Sequence, residues 1–442
     1  MSATTDDLLA GVSRRQMVTA VMASSLGWAL DLFDLFILLY VAPIIGRLFF
    51  PSDVPTLSLA AVYASFAVTL LMRPVGSALF GSYADRHGRK GTMVVAVIGV
   101  GVSTAAFGLL PTISQIGLAA PVIFLALRLV QGIFVGGVVA ATHTIGTETV
   151  PARWRGAMSG LIGGGGAGIG GLLASVVYLI TSEIFPGDQF AVWGWRMMFF
   201  SGILSAVLGV FIFNSLEESP AWAALMRRKA AAAAAPVIES PLRTLVSRQW
   251  RGVFALNLLL TTGGGAGYYL TSGYLPTLLK VVNRIPNREA SLVLIGCSLV
   301  AIASALTVGH FSTFWGRRRT FIAVGVVRLA LAPVVFTLLA RAGSDMPMVV
   351  AVSVLLVFLG NGTYAPLLIY LNERFPTTLR STGTGLSWNI GFAIGGMMPT
   401  FASLAAPTTA ALPTTLGWFL VAMSVLFLLG ALLSPESSGE LA

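Results

Sequence analysis

Charge is what this sequence has least of. Only 10% of its 442 residues are Asp, Glu, Lys or Arg, against about 25% in soluble domains, which excludes a chain solvated over its whole surface. Cysteine is nearly absent too. Cys297 is the only one, so no disulfide can form within the chain, and there is no C-x-x-C pair for redox or zinc chemistry. A Walker phosphate loop and an H-E-x-x-H zinc motif are also missing. ATP-driven transport, metal chemistry and enzymatic catalysis therefore have no support in the sequence, and no cofactor or metal is expected.

Hydrophobic residues fill the chain instead, at 56%, in runs that recur along almost its whole length. Many runs are roughly 20 residues long, the length that ~30 Å of hydrocarbon requires of a helix. The expected spans are 17–43, 57–80, 92–110, 117–142, 156–181 and 192–214, then 252–279, 289–311, 319–340, 347–371, 381–405 and 413–433. The pattern predicts an all-α integral membrane protein of about twelve transmembrane helices. The net charge of +10 does not point to nucleic acid, because the basic residues lie in short segments between apolar runs, not in one patch or stripe. Ser13, Arg14 and Arg15 resemble the start of a twin-arginine export signal. Asp31 and Asp34 interrupt the run that follows and many more runs come after it, so it is read as an uncleaved first helix.

The one long polar interruption, 215–250, carries Glu217, Glu218, Arg227, Arg228 and Lys229, then an alanine run from Ala230 to Ala235. Alanine is the best helix former, so part of this linker is predicted to lie as an amphipathic helix on the membrane surface. It divides the chain into a six-helix bundle at 1–214 and a second at 251–442. If the termini share one side, the segments on the other side hold only Arg47, Lys280, Arg284, Arg288 and Arg341 as basic residues. Arg14, Arg15, Arg86, Arg89, Lys90, Arg153, Arg317 and the basic residues of the linker all share the side of the termini. The positive-inside rule then places both termini in the cytoplasm of a multi-pass inner (plasma) membrane protein.

The two bundles repeat one another. Gly81, Gly88, Arg89 and Lys90 match Gly309, Gly316, Arg317 and Arg318 at one constant offset, and Glu148, Pro151 and Arg155 match Glu373, Pro376 and Arg380 at nearly the same one. Parallel repeats of this kind are related by an axis along the membrane normal, and a solute site between them opens to either side as the halves rock.

These residues also carry a family resemblance. The loop Gly81, Asp85, Arg86, Gly88, Arg89 and Lys90 resembles the signature loop of the major facilitator superfamily. Arg128 and Gln131 with Gly132, Gly136 and Gly137 resemble that superfamily's fourth-helix motif, and Glu218-Ser219-Pro220 the mark closing its sixth helix. Asp31-Leu32-Phe33-Asp34, Arg73-Pro74, Trp195-Arg196 and Glu373-Arg374-Phe375-Pro376 are most similar to the metabolite:proton symporters, with sialate- and lactate-type symporters close behind. Two positions depart from the symporter pattern. Val138 stands where a glutamate is common, and Asp31-Leu32-Phe33-Asp34 where Glu-Trp-Tyr-Asp is usual. The resemblance implies two pseudo-symmetric six-helix bundles and alternating access. It also implies that the Asp85 loop, with Glu148, Arg155 and their second copies Glu373 and Arg380, stabilises one conformation of the cycle. The second copy has Thr313 in place of Asp85 and is expected to keep only a topological role.

Ionisable side chains inside a span cost about 2.5–3.5 kcal/mol each and mark function by default. The intramembrane carboxylates are Asp31 and Asp34, one turn apart on one helical face. A carboxylate pair out of water suits reversible protonation, and Asp34 matches the family aspartate. Arg128 shares a face with Gln131 and is expected either to bind substrate or to hold a proton-carrying aspartate. Arg73 and Arg328 are candidate charge partners. The family's ninth helix is peripheral, which leaves Arg328 as a structural or snorkelling side chain. Three interior arginines against two aspartates favour an anionic solute.

Smaller signals complete the site. Tyr268, beside the glycines of the seventh span, and Asn361, Tyr364 and Asn389 are candidate substrate contacts from the C-terminal half. The glycine-rich fifth span, Gly163 to Gly171, is expected to pack closely, and it lacks the Gly-Pro signature usual in the superfamily's proton-coupled drug exporters, which by that resemblance disfavours export by antiport. The glycine run of span seven is a candidate flexible gate, and His143 is read as packed. The expected activity is proton-coupled uptake of a small organic acid by a single chain in the bilayer, with the proton as coupling ion. A zwitterion (betaine- or proline-like) symporter, a uniporter or exporter, and a membrane sensor are the alternatives.

Overall fold

The computed structural model describes residues 13–87, 89–148, 150–214, 245, 247–376 and 379–437, with side chains outside 81–90, 92, 93, 138–149, 152, 212–214 and 381. Gly81, Asp85, Arg86, Gly88, Arg89, His143, Glu148 and nearly all of the 215–250 linker lie outside the described residues or side chains. Every regular element among the described residues is helical.

In the N-terminal half these are α1 (Arg14–Phe49), α2 (Pro55–His87), α3 (Arg89–Phe107) and α4 (Ala119–Glu148). Next come α5, running from Ala152–Gly160 through a π-helical turn Leu161–Gly165 into Gly166–Ile184, and α6, built from Phe190–Gly194, Trp195–Phe200 and Gly202–Asn214. The C-terminal half repeats the series. α7 joins Arg251–Tyr268, a π-helical turn Tyr269–Gly273 and Leu275–Val281, and is followed by α8 (Asn287–Trp315) and α9 (Arg317–Ala342). α10 (Met346–Tyr364, then Leu367–Glu373), α11 (Arg380–Ala405) and α12 (Leu412–Leu433) complete it.

Nine of the described helices are long and apolar enough to cross a membrane. α7 and α11 fall short because glycine, serine, threonine and asparagine dilute their apolar content, and both line the junction between halves.

Local sequence explains the ends and bends. Ser13 and Gln16 form a reciprocal capping box at the start of α1. Pro74 removes a backbone donor within α2, and Pro366 stands where α10 breaks. Between α8 and α9, Gly316 turns the chain at φ 101°, a conformation that favours glycine.

α5 is wedged between α1 of its own half and α8 of the other. Gly166 and Gly170 meet Trp28 and Ala29 on α1, and Gly168 meets Ser298 and Ile302 on α8. Glycine here serves close packing, as expected. In α7 the glycines do likewise: Gly263 abuts Phe427, Gly265 abuts Phe392, and Gly267 abuts Arg328. The glycine run anticipated as a flexible gate is thus closely packed in this conformation.

Candidate functional site

On α2, Tyr63, Phe66, Leu70, Arg73 and Ser77 recur at helical spacing and share a face, which is turned toward the C-terminal half. Tyr63 stacks on Tyr274 at 4.5 Å and hydrogen-bonds Thr277 at 2.9 Å. Phe66 meets Tyr269 edge-on, Leu70 lies against Gly396, and Asn389 Nδ2 donates to Ser77 Oγ at 3.4 Å. Arg73 therefore sits at the junction of the halves. Its Nη2 is 3.4 Å from Asp31 Oδ2, with both side chains buried. The approach lacks hydrogen-bond geometry: both oxygens of Asp31, and Nε and Nη2 of Arg73, make no hydrogen bond among the described residues.

Aromatic side chains cluster at the same seam. Trp28 Nε1 donates to Tyr364 Oη at 3.3 Å, and Trp28 meets Trp388 edge-on at 5.5 Å. Tyr268 stacks on Tyr364 at 5.3 Å, and Trp388 on Phe392 at 3.9 Å. A cavity of about 30 Å³ lies between the halves, lined among others by Phe36, Tyr40, Tyr268, Ser272 and Asn361.

A larger vestibule of about 870 Å³ opens on the face opposite the described termini, between Arg47, Glu183, Lys280 and Arg288. Tyr40 lines both cavities and so divides them. Two contacts join the halves at the vestibule: Tyr178 Oη donates to Asn287 Oδ1 at 2.9 Å, and Glu183 pairs with Arg288 at 2.6 Å, both exposed.

On the face that carries the termini the described residues close the seam. There α5 and α8 cross with backbone against backbone, so that a Cβ on Gly160 would stand 2.3 Å from the Ala305 carbonyl oxygen. Trp154 stacks on His310 at 5.3 Å across the same seam.

Asp34 belongs to a separate network inside the N-terminal half. Ser205 Oγ donates to its two oxygens at 3.2 and 3.0 Å, and the Thr104 side chain lies close by. Gln131 Nε2 donates to Thr104 Oγ1 at 2.7 Å, and Arg128 Nη1 donates to Gln131 Oε1 at 2.6 Å. Arg128 is fully buried, its guanidinium over Phe107 at 4.1 Å and Phe124 at 5.2 Å. Arg128 and Gln131 thus bear on Asp34 and do not line the cavity between the halves. Arg196 holds the turn after α3, donating to Gly108 and Leu110 carbonyls at 2.6 and 2.9 Å.

Arg328 is fully buried and does not snorkel. Its three nitrogens donate to Ser424 Oγ, Thr363 Oγ1 and the Gly263 carbonyl at 2.9, 2.8 and 3.1 Å. At the loops, Arg155 Nε donates to the Val150 carbonyl and Arg380 Nε to that of Asn372. Arg317 pairs with Glu373 at 3.0 Å, with both side chains buried. The second copy of the loop therefore holds a buried ion pair as well as surface charge, which a purely topological role does not explain. Sequence reasoning passed over Trp28, Phe36, Tyr40, Thr104, Ser205, Trp388 and Phe392. Only the four-residue recurrence of Trp28, Leu32, Phe36 and Tyr40 on one face of α1 carried a signal.

Two six-helix halves with a polar and aromatic site at their seam define a membrane transporter. The chain belongs to the Major Facilitator Superfamily, whose family model matches residues 17–397. It is 30% identical over 422 residues to the inner membrane metabolite transport protein YhjE of Escherichia coli (strain K12), covering 94% of each chain. It is 27% identical over 388 residues to the proline/betaine transporter of Salmonella typhimurium, covering 87% of this chain and 77% of that one. The crystal structure of a D-xylose-proton symporter superposes with a TM-score of 0.71 at 19% identity, covering 97% of this chain and 100% of that chain, and shows the shared fold. The protein is a secondary transporter of the membrane and not an enzyme.

Proposed function

We propose that the chain is a proton-coupled symporter of the metabolite:proton branch that takes up a small zwitterionic metabolite, with betaine- and proline-like solutes as its class. The observation that carries this is the Asp31–Arg73 pair, buried with its hydrogen-bonding capacity unspent at the seam where the aromatic side chains cluster. A ligand carboxylate matches the fork of Arg73, and a cationic nitrogen matches Asp31 and the faces of Trp28, Tyr268 and Tyr364.

The expected anionic solute rested on interior arginines in excess of aspartates. Arg328 is engaged away from the cavity, Arg128 donates to Gln131 inside the N-terminal half and keeps Nε and Nη2 without a partner among the described residues, and Arg73 is met by Asp31, so little of the excess charge faces the cavity. The relatives named for proline and betaine support the same class. A small organic acid is the second reading, favoured by Arg47 and Lys280 in the vestibule. In this account Asp34 carries the proton and Arg128 holds it through Gln131 and Thr104. The face bearing the termini is cytoplasmic in the inner membrane, and one chain is the working unit.

A thermal-shift series with glycine betaine, proline and lactate, followed by uptake into proteoliposomes under an imposed pH gradient, tests the reading. Betaine or proline is expected to raise Tm and to accumulate with the gradient, and Trp28→Leu or Arg73→Gln to abolish both responses. Stabilisation by lactate alone would move the assignment to organic acids. Uptake indifferent to the gradient would leave a uniporter.

A further inference from the structure

Three consecutive arginines open α9, and the helix sends them different ways. Arg317 turns inward to Glu373. Arg318 is half-buried and lends Nε and Nη2 to the carbonyls of Ala431 and Leu432 at 3.3 and 2.7 Å. Arg319 is exposed. Arg318 and Arg319 line a cavity of about 430 Å³ at the terminal face, together with Trp315 and Glu436. Glu436 is the one carboxylate on that wall, and its Oε1 accepts from the backbone N–H groups of Arg317 and Arg318 at 2.5 and 3.1 Å. It caps the helix N-terminus and leaves the side-chain charges of the rim largely uncompensated.

Trp315 also lines a second cavity, of about 440 Å³, on the outer side of α8, α9 and α10. The side chains around that groove are nearly all apolar, and Phe311, Val327 and Phe358 are exposed on it. A long apolar groove on a membrane-spanning surface thus runs into a basic rim, with a tryptophan at the boundary, where membrane proteins concentrate such rings.

We propose that this composite groove is a binding site for one anionic phospholipid, its acyl chain against Phe311, Val327 and Phe358 and its phosphate at Arg318 and Arg319. Basic side chains near a membrane surface each favour an anionic lipid by about fivefold, and the apolar groove confines the lipid that they select. The site lies on the outer wall of the C-terminal half, so it stands independently of the solute and of proton coupling.

The test is native mass spectrometry of the full chain, purified with an equimolar mixture of palmitoyl-oleoyl phosphatidylglycerol and phosphatidylcholine. The wild-type protein is expected to retain phosphatidylglycerol preferentially. Arg319→Gln should lower that preference by about fivefold, and Arg318→Gln with it should bring the two lipids level. Val327→Trp, which fills the groove, should reduce retention of both. Arg251→Gln removes an exposed arginine elsewhere at the same membrane depth and should change nothing. Arg319 is exposed and has no hydrogen bond or ion pair among the described residues, so its variant remains informative if the Arg318 variant melts early. Equal retention of the two lipids by the wild type, or an equal loss in Arg251→Gln and Arg319→Gln, would overturn the proposal.

Discussion

Asp34→Asn protein is expected to bind and exchange its solute across the membrane yet fail to concentrate it under an imposed pH gradient. The carboxylate is buried, its partner is the hydroxyl of Ser205, and the Thr104 side chain lies close by. Hydroxyls serve either protonation state, because each can donate or accept. An amide in place of the carboxylate keeps the shape and the hydrogen bonds but cannot release a proton. Binding at the Asp31–Arg73 pair should survive, since Asp34, one turn along α1 from Asp31, has no hydrogen bond to either residue. Counterflow of labelled solute, compared with gradient-driven accumulation in the same vesicles, separates the two effects. Accumulation by the variant above the external concentration would sink the assignment of Asp34.

The second large effect is expected from Gly160→Val at the α5–α8 crossing. The added Cβ would stand 2.3 Å from the carbonyl oxygen of Ala305, a backbone atom that cannot swing aside. Overpacking of this kind costs about 1–3 kcal/mol, and here the cost falls only on the conformation in which the terminal face is shut. The ratio of closed to open molecules should fall roughly five- to 160-fold. Spin labels at Arg153 and Arg319, in a background where Cys297 is serine, should report a longer separation across the seam than in the parent. Labels at Asp188 and Arg288, on the vestibule face, should move closer together. An unchanged distance distribution at the terminal face would mean that α8 yields without cost.

The architecture was legible because hydrocarbon imposes it. Each crossing needs its own apolar run, and the repeated loops tie Arg89 to Arg317 and Arg155 to Arg380 in matching places. Among site residues, Asp31, Arg73, Tyr268, Asn361 and Tyr364 were legible as polar or aromatic side chains in spans, and the structure brings them to one seam. Arg128 and Gln131 were readable as neighbours on a helix face, and they are hydrogen-bonded to each other. Which way that face points was not readable. Lipid and protein interior are both apolar, so a membrane helix carries little hydrophobic asymmetry to show its rotation. Trp28, Trp388 and Phe392 were hidden for the same reason, since an aromatic in a span is equally at home against lipid. Thr104 and Ser205 were ordinary hydroxyls until Asp34 was seen against them.

The network around Asp34 has a grammar. Arg128 can only donate, so Gln131 must turn its carbonyl oxygen toward it and its amide nitrogen toward Thr104. Thr104 then accepts from Gln131, and its own hydroxyl hydrogen is left to turn toward Asp34. That row of bonds reads in one direction and cannot be reversed while Arg128 keeps its place. When Asp34 itself acquires a proton, the hydroxyl that can give way is Ser205, which already has a second acceptor in the Gly202 carbonyl at 2.9 Å. Ser205 is thereby the swivel of the arrangement. A single hydroxyl rotation on α6 lets the site change its protonation state while the rest of the network holds still.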